Sequence, residues 1–263
     1  MTVTAFFGCA FTAYGPALAM FILTIAHDPV RVIILILSAF FWLLSLLLSS
    51  LLWFAVVPLN QALGLGLNTL AFGLVFSVLF QETFRVLIYV LLTKADAFMK
   101  KITENEETKI FANRHILSYV VGLGFGTMSG IFSMINVLAD SVGPGTVGLM
   151  DNTPKDFFMI SAVLCLCMIF LNTFWGVLAF DALDKKKWIN LAFVWISHLT
   201  VSCLTLLNQN PSLTTYAGTV IPIILITIGT IAFSFFVAGG KKAAMVECLT
   251  SPLSFRRRDV VHG

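Results

Sequence analysis

Glu82 and Arg85 stand three residues apart in a run that is otherwise apolar, and Gln81 precedes them. On a helix that spacing puts both charges on one face, close enough to pair. Two further polar doublets, Asn172-Thr173 and Ser197-His198, lie midway along other apolar runs. An ionisable side chain in lipid is costly and points by default to function. Two chemistries suit such a set. It forms a polar cavity that captures a partner segment or passes protons, or it forms a structural cluster that fixes helix register. Residue types alone leave both open for Gln81, Glu82, Arg85, Asn172 and His198. The remaining histidines, His27, His115 and His262, read as solvated ends.

The elements that must hold these groups follow from composition. Of 263 residues, 59% are hydrophobic and only 11% charged. A soluble domain carries about 25% charged residues, so the surroundings of this chain are lipid. The apolar runs are continuous over twenty residues or more, the length that crosses a bilayer as a helix. Strands of a membrane barrel would alternate instead. The expected fold is all-α, a polytopic membrane protein forming a single transmembrane domain of seven helices. The spans run about 4–26, 32–58, 65–92, 116–139, 157–180, 188–207 and 216–238, followed by a basic tail over 239–263. Pro222 is a candidate kink in the seventh. The first run lacks a basic leader and a small-residue cleavage site, so it reads as a retained helix, not a signal peptide.

Seven spans divide the basic residues unevenly. One side receives Arg31, Lys94, Lys100, Lys101, Lys109, Arg114, Lys185, Lys186, Lys187, Lys241, Lys242, Arg256, Arg257 and Arg258. The other receives only Lys155. The positive-inside rule then puts the carboxyl terminus in the cytosol and the amino terminus in the lumen or outside the cell. No Asn-x-Ser/Thr acceptor with a permitted middle residue occurs, so the outer loops read as free of N-glycans. The basic excess is a topological signal, and no nucleic-acid partner is expected.

Bond-breaking signatures are missing. Asp140 and Asp181 fall at opposite membrane faces, whereas aspartyl chemistry in a membrane needs two that face each other. No Gly-x-Gly-Asp is present, and Thr127-Met128-Ser129-Gly130 lacks the first glycine of the rhomboid serine motif. No His-Glu-x-x-His offers a zinc site. The seventh span has no lysine for a retinal Schiff base, and no Asp-Arg-Tyr closes the third. The five cysteines, Cys9, Cys165, Cys167, Cys203 and Cys248, have no metal-ligand spacing and read as reduced thiols, with Cys248 a candidate for palmitoylation. No cofactor is expected. In the fourth span Gly122, Gly126 and Gly130 recur at every fourth position. That ridge lets another helix approach to backbone contact. Periodicity does not say whether that helix belongs to this chain or another.

Several short motifs recur in a telling order: Phe6-Phe7-Gly8-Cys9 with Gly15-Pro16-Ala17, Asp28-Pro29-Val30-Arg31, Phe40-Phe41-Trp42-Leu43 and Gln81-Glu82-x-Phe84-Arg85. The glycine ridge follows, running on to Gly143-Pro144-Gly145, then Phe174-Trp175-Gly176, Lys185-Lys186-Lys187-Trp188, Ser197-His198-Leu199 and Ala238-Gly239-Gly240. In this order the chain resembles the anterior-pharynx-defective (Aph) subunit family of gamma-secretase along essentially its whole length. The resemblance implies a non-catalytic scaffold with seven spans in the orientation given above. Its implied partners are nicastrin, presenilin and the presenilin enhancer subunit, besides membrane lipids. The implied complex cleaves membrane stubs such as Notch and amyloid precursor protein, in the endoplasmic reticulum, Golgi and plasma membrane. The family's ridge, here Gly122, Gly126 and Gly130, is implied to serve assembly. Its polar cluster maps to Gln81, Glu82, Arg85 and His198, where the carboxyl-terminal end of presenilin is a candidate ligand for Arg85 or His198. One departure stands out: the family commonly carries a histidine where this chain has Asn172, and asparagine does not titrate near neutral pH. The rival readings are a transporter or proton channel built on Glu82, Arg85 and His198, and a seven-span receptor.

Overall fold

The computed structural model describes residues 3–64, 66, 68–102, 113–142, 157–209 and 213–240. The Gly143-Pro144-Gly145 loop signal, Lys109, Lys155, Asn210-Pro211 and the tail with Cys248 and His262 lie outside the described residues. Seven α-helices make up the described chain: α1 Val3–Thr24, α2 Pro29–Leu63, α3 Thr69–Ile102, α4 Arg114–Val142, α5 Phe157–Asp184, α6 Trp188–Thr205 and α7 Leu213–Val237. A single 3-10 turn, Leu206–Gln209, follows α6. All seven helices are long and apolar enough to cross a membrane.

Their ends follow local chemistry more closely than hydropathy does. Asp28 caps α2, its carboxylate accepting from the Val30 amide at 3.1 Å, and Pro29 sits where its missing N–H costs nothing. Arg31 then folds back, pairing with Asp28 at 3.2 Å and donating to the Thr24 carbonyl at the end of α1 at 2.7 Å. The motif Asp28-Pro29-Val30-Arg31 is thus a tied turn between two helices. The second helix runs on past Pro58 to Leu63 and stops at Gly64, whose φ of +59° closes it. Proline removes one backbone donor, but glycine supplies the left-handed residue that ends a helix. The third helix extends to Ile102, about three turns beyond the apolar run. Hydropathy marks where lipid ends, and a helix has no reason to stop there. The seventh closes in Gly239-Gly240, with φ +95° at Gly239 and the Gly240 amide reaching back to the Phe235 carbonyl at 2.9 Å.

The bundle is built around α4 and α5, which make the most extensive helix contact in the molecule. On their flanks, α2 packs on α3 and α4, α1 lies against α4 and α5, α7 covers α5, and α6 touches α3, α5 and α7. The glycine ridge explains the central pair. A methyl group at Gly122 would overlap the Thr173 carbonyl, and one at Gly126 the Ile169 carbonyl. At Gly130 it would strike the side chains of Ile169 and Cys165. From the other side, a Cβ on Gly176 would sit 2.8 Å from the Gly122 Cα. The helix that uses the ridge is therefore α5 of this chain. Gly124 points elsewhere, where a Cβ would meet Ser38 and the Leu35 carbonyl of α2. α4 is thus wedged between two helices at backbone distance.

Adding a methyl group where none fits costs about 1–3 kcal/mol. Gly122→Ala and Gly126→Ala are expected to lower the thermal midpoint of the detergent-solubilised protein. Gly8→Ala, with open space around it, is expected to leave it unchanged. Equal midpoints for all three would show that α4 and α5 do not approach this closely.

Candidate functional site

α3 runs beside α6, and α5 lies against both, so Glu82 and Arg85 meet Asn172 and His198 while Thr173 and Ser197 bond within their own helices. Glu82 and Arg85 on α3, Asn172 on α5 and His198 on α6 are each at most 1% exposed. The Arg85 guanidinium forks onto Glu82, with Nε donating to Oε2 at 3.1 Å and Nη2 to Oε1 at 3.2 Å. It also reaches α5, where Nη1 donates to the Asn172 carbonyl at 2.9 Å and Nη2 to the Asn172 Oδ1 at 2.9 Å. The Asn172 amide passes the network on, donating to the Met168 carbonyl at 3.0 Å. His198 Nδ1 lies 2.7 Å from Glu82 Oε1. A carboxylate beside a guanidinium is an acceptor, so Nδ1 is the donating nitrogen of His198.

Aromatic rings hold these polar groups in place. The Phe125 ring of α4 lies under the Arg85 guanidinium at 5.0 Å, a cation–π contact. Trp175 stacks on His198 at 4.4 Å. Neither ring was picked out as part of the site by residue type. The available signal was spacing: Trp175 follows Asn172 by three residues, so the two share a face of α5.

Gln81 stands apart from the other four. It accepts from the Trp42 indole of α2 at 3.1 Å and donates to Ser77 at 3.1 Å. It also borders a groove of about 410 Å³ between α2, α3 and α6, together with Ser49, Ser77, Ser202 and Thr205. Five candidate residues thus divide into a closed four-residue network and one residue at a groove wall. Arg85 uses four N–H donors on Glu82 and Asn172, so its charge is already answered inside the bundle. The aspartates Asp140 and Asp181 sit near opposite ends of the antiparallel pair α4 and α5, since Arg114 at the start of α4 pairs with Asp184 at the end of α5 at 3.2 Å. No group of three metal-ligating side chains occurs among the described residues.

A family model described as Aph-1 protein matches residues 4–241. The chain belongs to the Aph-1 family. It is similar to the gamma-secretase subunit Aph-1 of Drosophila melanogaster, 49% identical over 95% of this chain and 99% of the relative. The gamma-secretase subunit APH-1B of Homo sapiens is 45% identical over 95% of this chain and 94% of its own length. The gamma-secretase subunit aph-1 of Caenorhabditis elegans is 33% identical over 76% of this chain. Asn172 presents an amide that accepts from Arg85 and donates to Met168, so both hydrogen-bonding roles are filled without a titrating group.

Removing one partner of a buried ion pair costs about 3–5 kcal/mol, because it strands the other charge. Arg85→Met is expected to cause a large fall in thermal midpoint. The double variant Glu82→Gln with Arg85→Met is expected to recover most of that fall. Losses that simply add would show that the two side chains do not act as a pair.

Proposed function

We propose that the chain is a non-catalytic structural subunit of the gamma-secretase protease complex, holding presenilin, nicastrin and the presenilin enhancer subunit by helix packing. One observation carries the reading: the charges buried in the bundle are spent on one another. Arg85, Glu82, Asn172 and His198 tie α3, α5 and α6 together and are almost fully withdrawn from solvent. Large apolar side chains such as Phe11, Leu23, Phe54 and Ile189 instead point outward, as expected of a surface that meets lipid and neighbouring helices. The family names support the complex, and the resemblance supports its work on Notch and amyloid precursor stubs in the secretory and plasma membranes. A partner carboxylate, with the presenilin terminus as candidate, would meet Gln81 and the serine hydroxyls of the groove between α2, α3 and α6 rather than the spent Arg85.

The proton-channel reading has one observation in its favour, the short His198–Glu82 contact of 2.7 Å. Both readings face direct tests. Affinity purification of the wild-type chain from native membranes is expected to bring down presenilin and nicastrin. With Gly122→Asp, which drives a carboxylate into the Thr173 carbonyl, recovery is expected to fall to background. Full recovery with that variant would remove the ridge from the assembly mechanism. The purified chain in liposomes is expected to pass no protons. A pH-driven flux abolished by Glu82→Gln would replace the scaffold with a channel.

A further inference from the structure

The tied turn at Asp28–Arg31 joins α1 to α2, yet the two helices share no extensive contact. Each packs on α4 instead. Between them lies a groove of about 570 Å³, walled by Leu18 and Phe21 of α1, Leu35 of α2, and Ile131, Ile135 and Leu138 of α4. Leu18 and Ile135 are 54% and 55% exposed, so the groove opens sideways toward lipid.

Thickness and polarity decide what fits there. From Thr127 to Leu138 the groove runs about 17 Å along α4 at 1.5 Å per residue, which gives it a mean section of about 35 Å². A helix about 10 Å across has a section of about 80 Å². A hydrocarbon chain fits this space and a helix does not. The two hydroxyls in the wall are already engaged: Tyr14 donates to the Gly130 carbonyl at 3.3 Å and Thr127 to the Leu123 carbonyl at 2.7 Å. The remaining wall is mostly Leu, Ile and Phe, bulky where a docking helix would need small residues. The glycines of α4 that would admit one face α5 and α2.

A hydrocarbon chain gains little by leaving bulk lipid for an apolar wall, because lipid tails are just as apolar. Selection must come from the group at the head of the chain. Arg31 stands at one end of the groove. Leu35 lies one turn further along α2, and Arg31 Nη1 donates at 2.7 Å to the Thr24 carbonyl, one turn past Phe21 on α1. That is its one hydrogen bond among the described residues. Nε lies 3.2 Å from Asp28 Oδ2 but is not aligned to donate to it. The Arg31 side chain is 27% exposed, so, unlike Arg85, it keeps N–H groups for an outside acceptor. A guanidinium matches a phosphate with parallel bonds. Arg31 also borders the apolar run that begins at Val32, the level at which hydrocarbon gives way to headgroup.

We infer that the groove between α1, α2 and α4 binds one glycerophospholipid of the leaflet nearer the α1–α2 turn, with an acyl chain in the groove and the phosphate on Arg31. The lipid fills the wedge between two helices that do not pack on each other. This site is independent of the scaffold reading and of the closed network on Glu82, Arg85, Asn172 and His198.

The test uses the full-length chain, stripped of lipid in mild detergent. It is offered dioleoylphosphatidylcholine or dioleoylglycerol, which has the same acyl chains and no phosphate, and bound lipid is counted by native mass spectrometry. The phospholipid is expected to saturate one site, and dioleoylglycerol to bind about tenfold more weakly, the change that loss of one charge-assisted bond gives. Arg31→Gln is expected to weaken the phospholipid by the same factor and leave dioleoylglycerol unchanged, while Arg31→Lys keeps most of the preference. Leu18→Trp, which fills the groove, is expected to abolish binding of both lipids. Leu23→Trp, on the same helix, 78% exposed and off the groove wall, is expected to leave both unchanged. Equal affinity for the two lipids, phospholipid binding untouched by Leu18→Trp, or equal losses in the two tryptophan variants would overturn the site. So would a benzophenone amino acid at Ile135 that crosslinks in native membranes to a polypeptide and not to lipid.

Discussion

Arg85 is fully buried, so the bundle must answer its charge. A guanidinium offers five N–H donors in a rigid plane. Here two of its bonds go to Glu82 on its own helix and two to Asn172 on α5. Phe125 of α4 covers its face, and His198 of α6 completes the coordination of Glu82. Four helices are therefore fixed relative to one side chain. Sliding α3, α5 or α6 by one residue would leave a charge or a donor unpaired inside the bundle, at a cost of several kilocalories. The register of the bundle depends on this constraint.

The close approach of α4 and α5 makes it possible. The Asn172 carbonyl and Oδ1 reach Arg85 because the neighbouring Thr173 carbonyl rests on Gly122, and Gly176 rests on the same glycine from the next turn. The ridge and the polar network are two parts of one assembly: the glycines set how near α5 comes, and the hydrogen bonds set where along its axis it stops. Motifs scattered through the sequence meet in this region. Trp42 from the second helix binds Gln81, and Trp175 stacks on His198. Ser234 of α7 donates to the Phe174 carbonyl at 3.2 Å. A subunit built this way presents a stiff, pre-shaped surface to neighbouring helices, which suits a part whose work is to hold others.

Much of this was legible beforehand. Long apolar runs and the rationing of Lys and Arg announced seven helices, because lipid tolerates neither exposed backbone nor stray charge. Glu82 and Arg85 were recognisable as a pair from their spacing alone. Helix ends were less legible. The turn at Asp28-Pro29 is written in capping chemistry, but α2 passes Pro58 and α3 outruns its apolar segment by about three turns, since hydropathy reports the solvent and not the backbone.

The sequence by itself determined that the chain lives in a membrane, how many times it crosses, which residues are too polar to face lipid, and which helix has a bare side. Those are local properties, set by composition and by periodicity along one helix. Only the tertiary structure decided who answers whom. It assigned the bare side of α4 to α5 of the same chain, separated Gln81 from the other four polar residues, and closed Arg85 against Asn172. Pairing between helices depends on their rotation and offset in three dimensions, and a one-dimensional pattern carries neither.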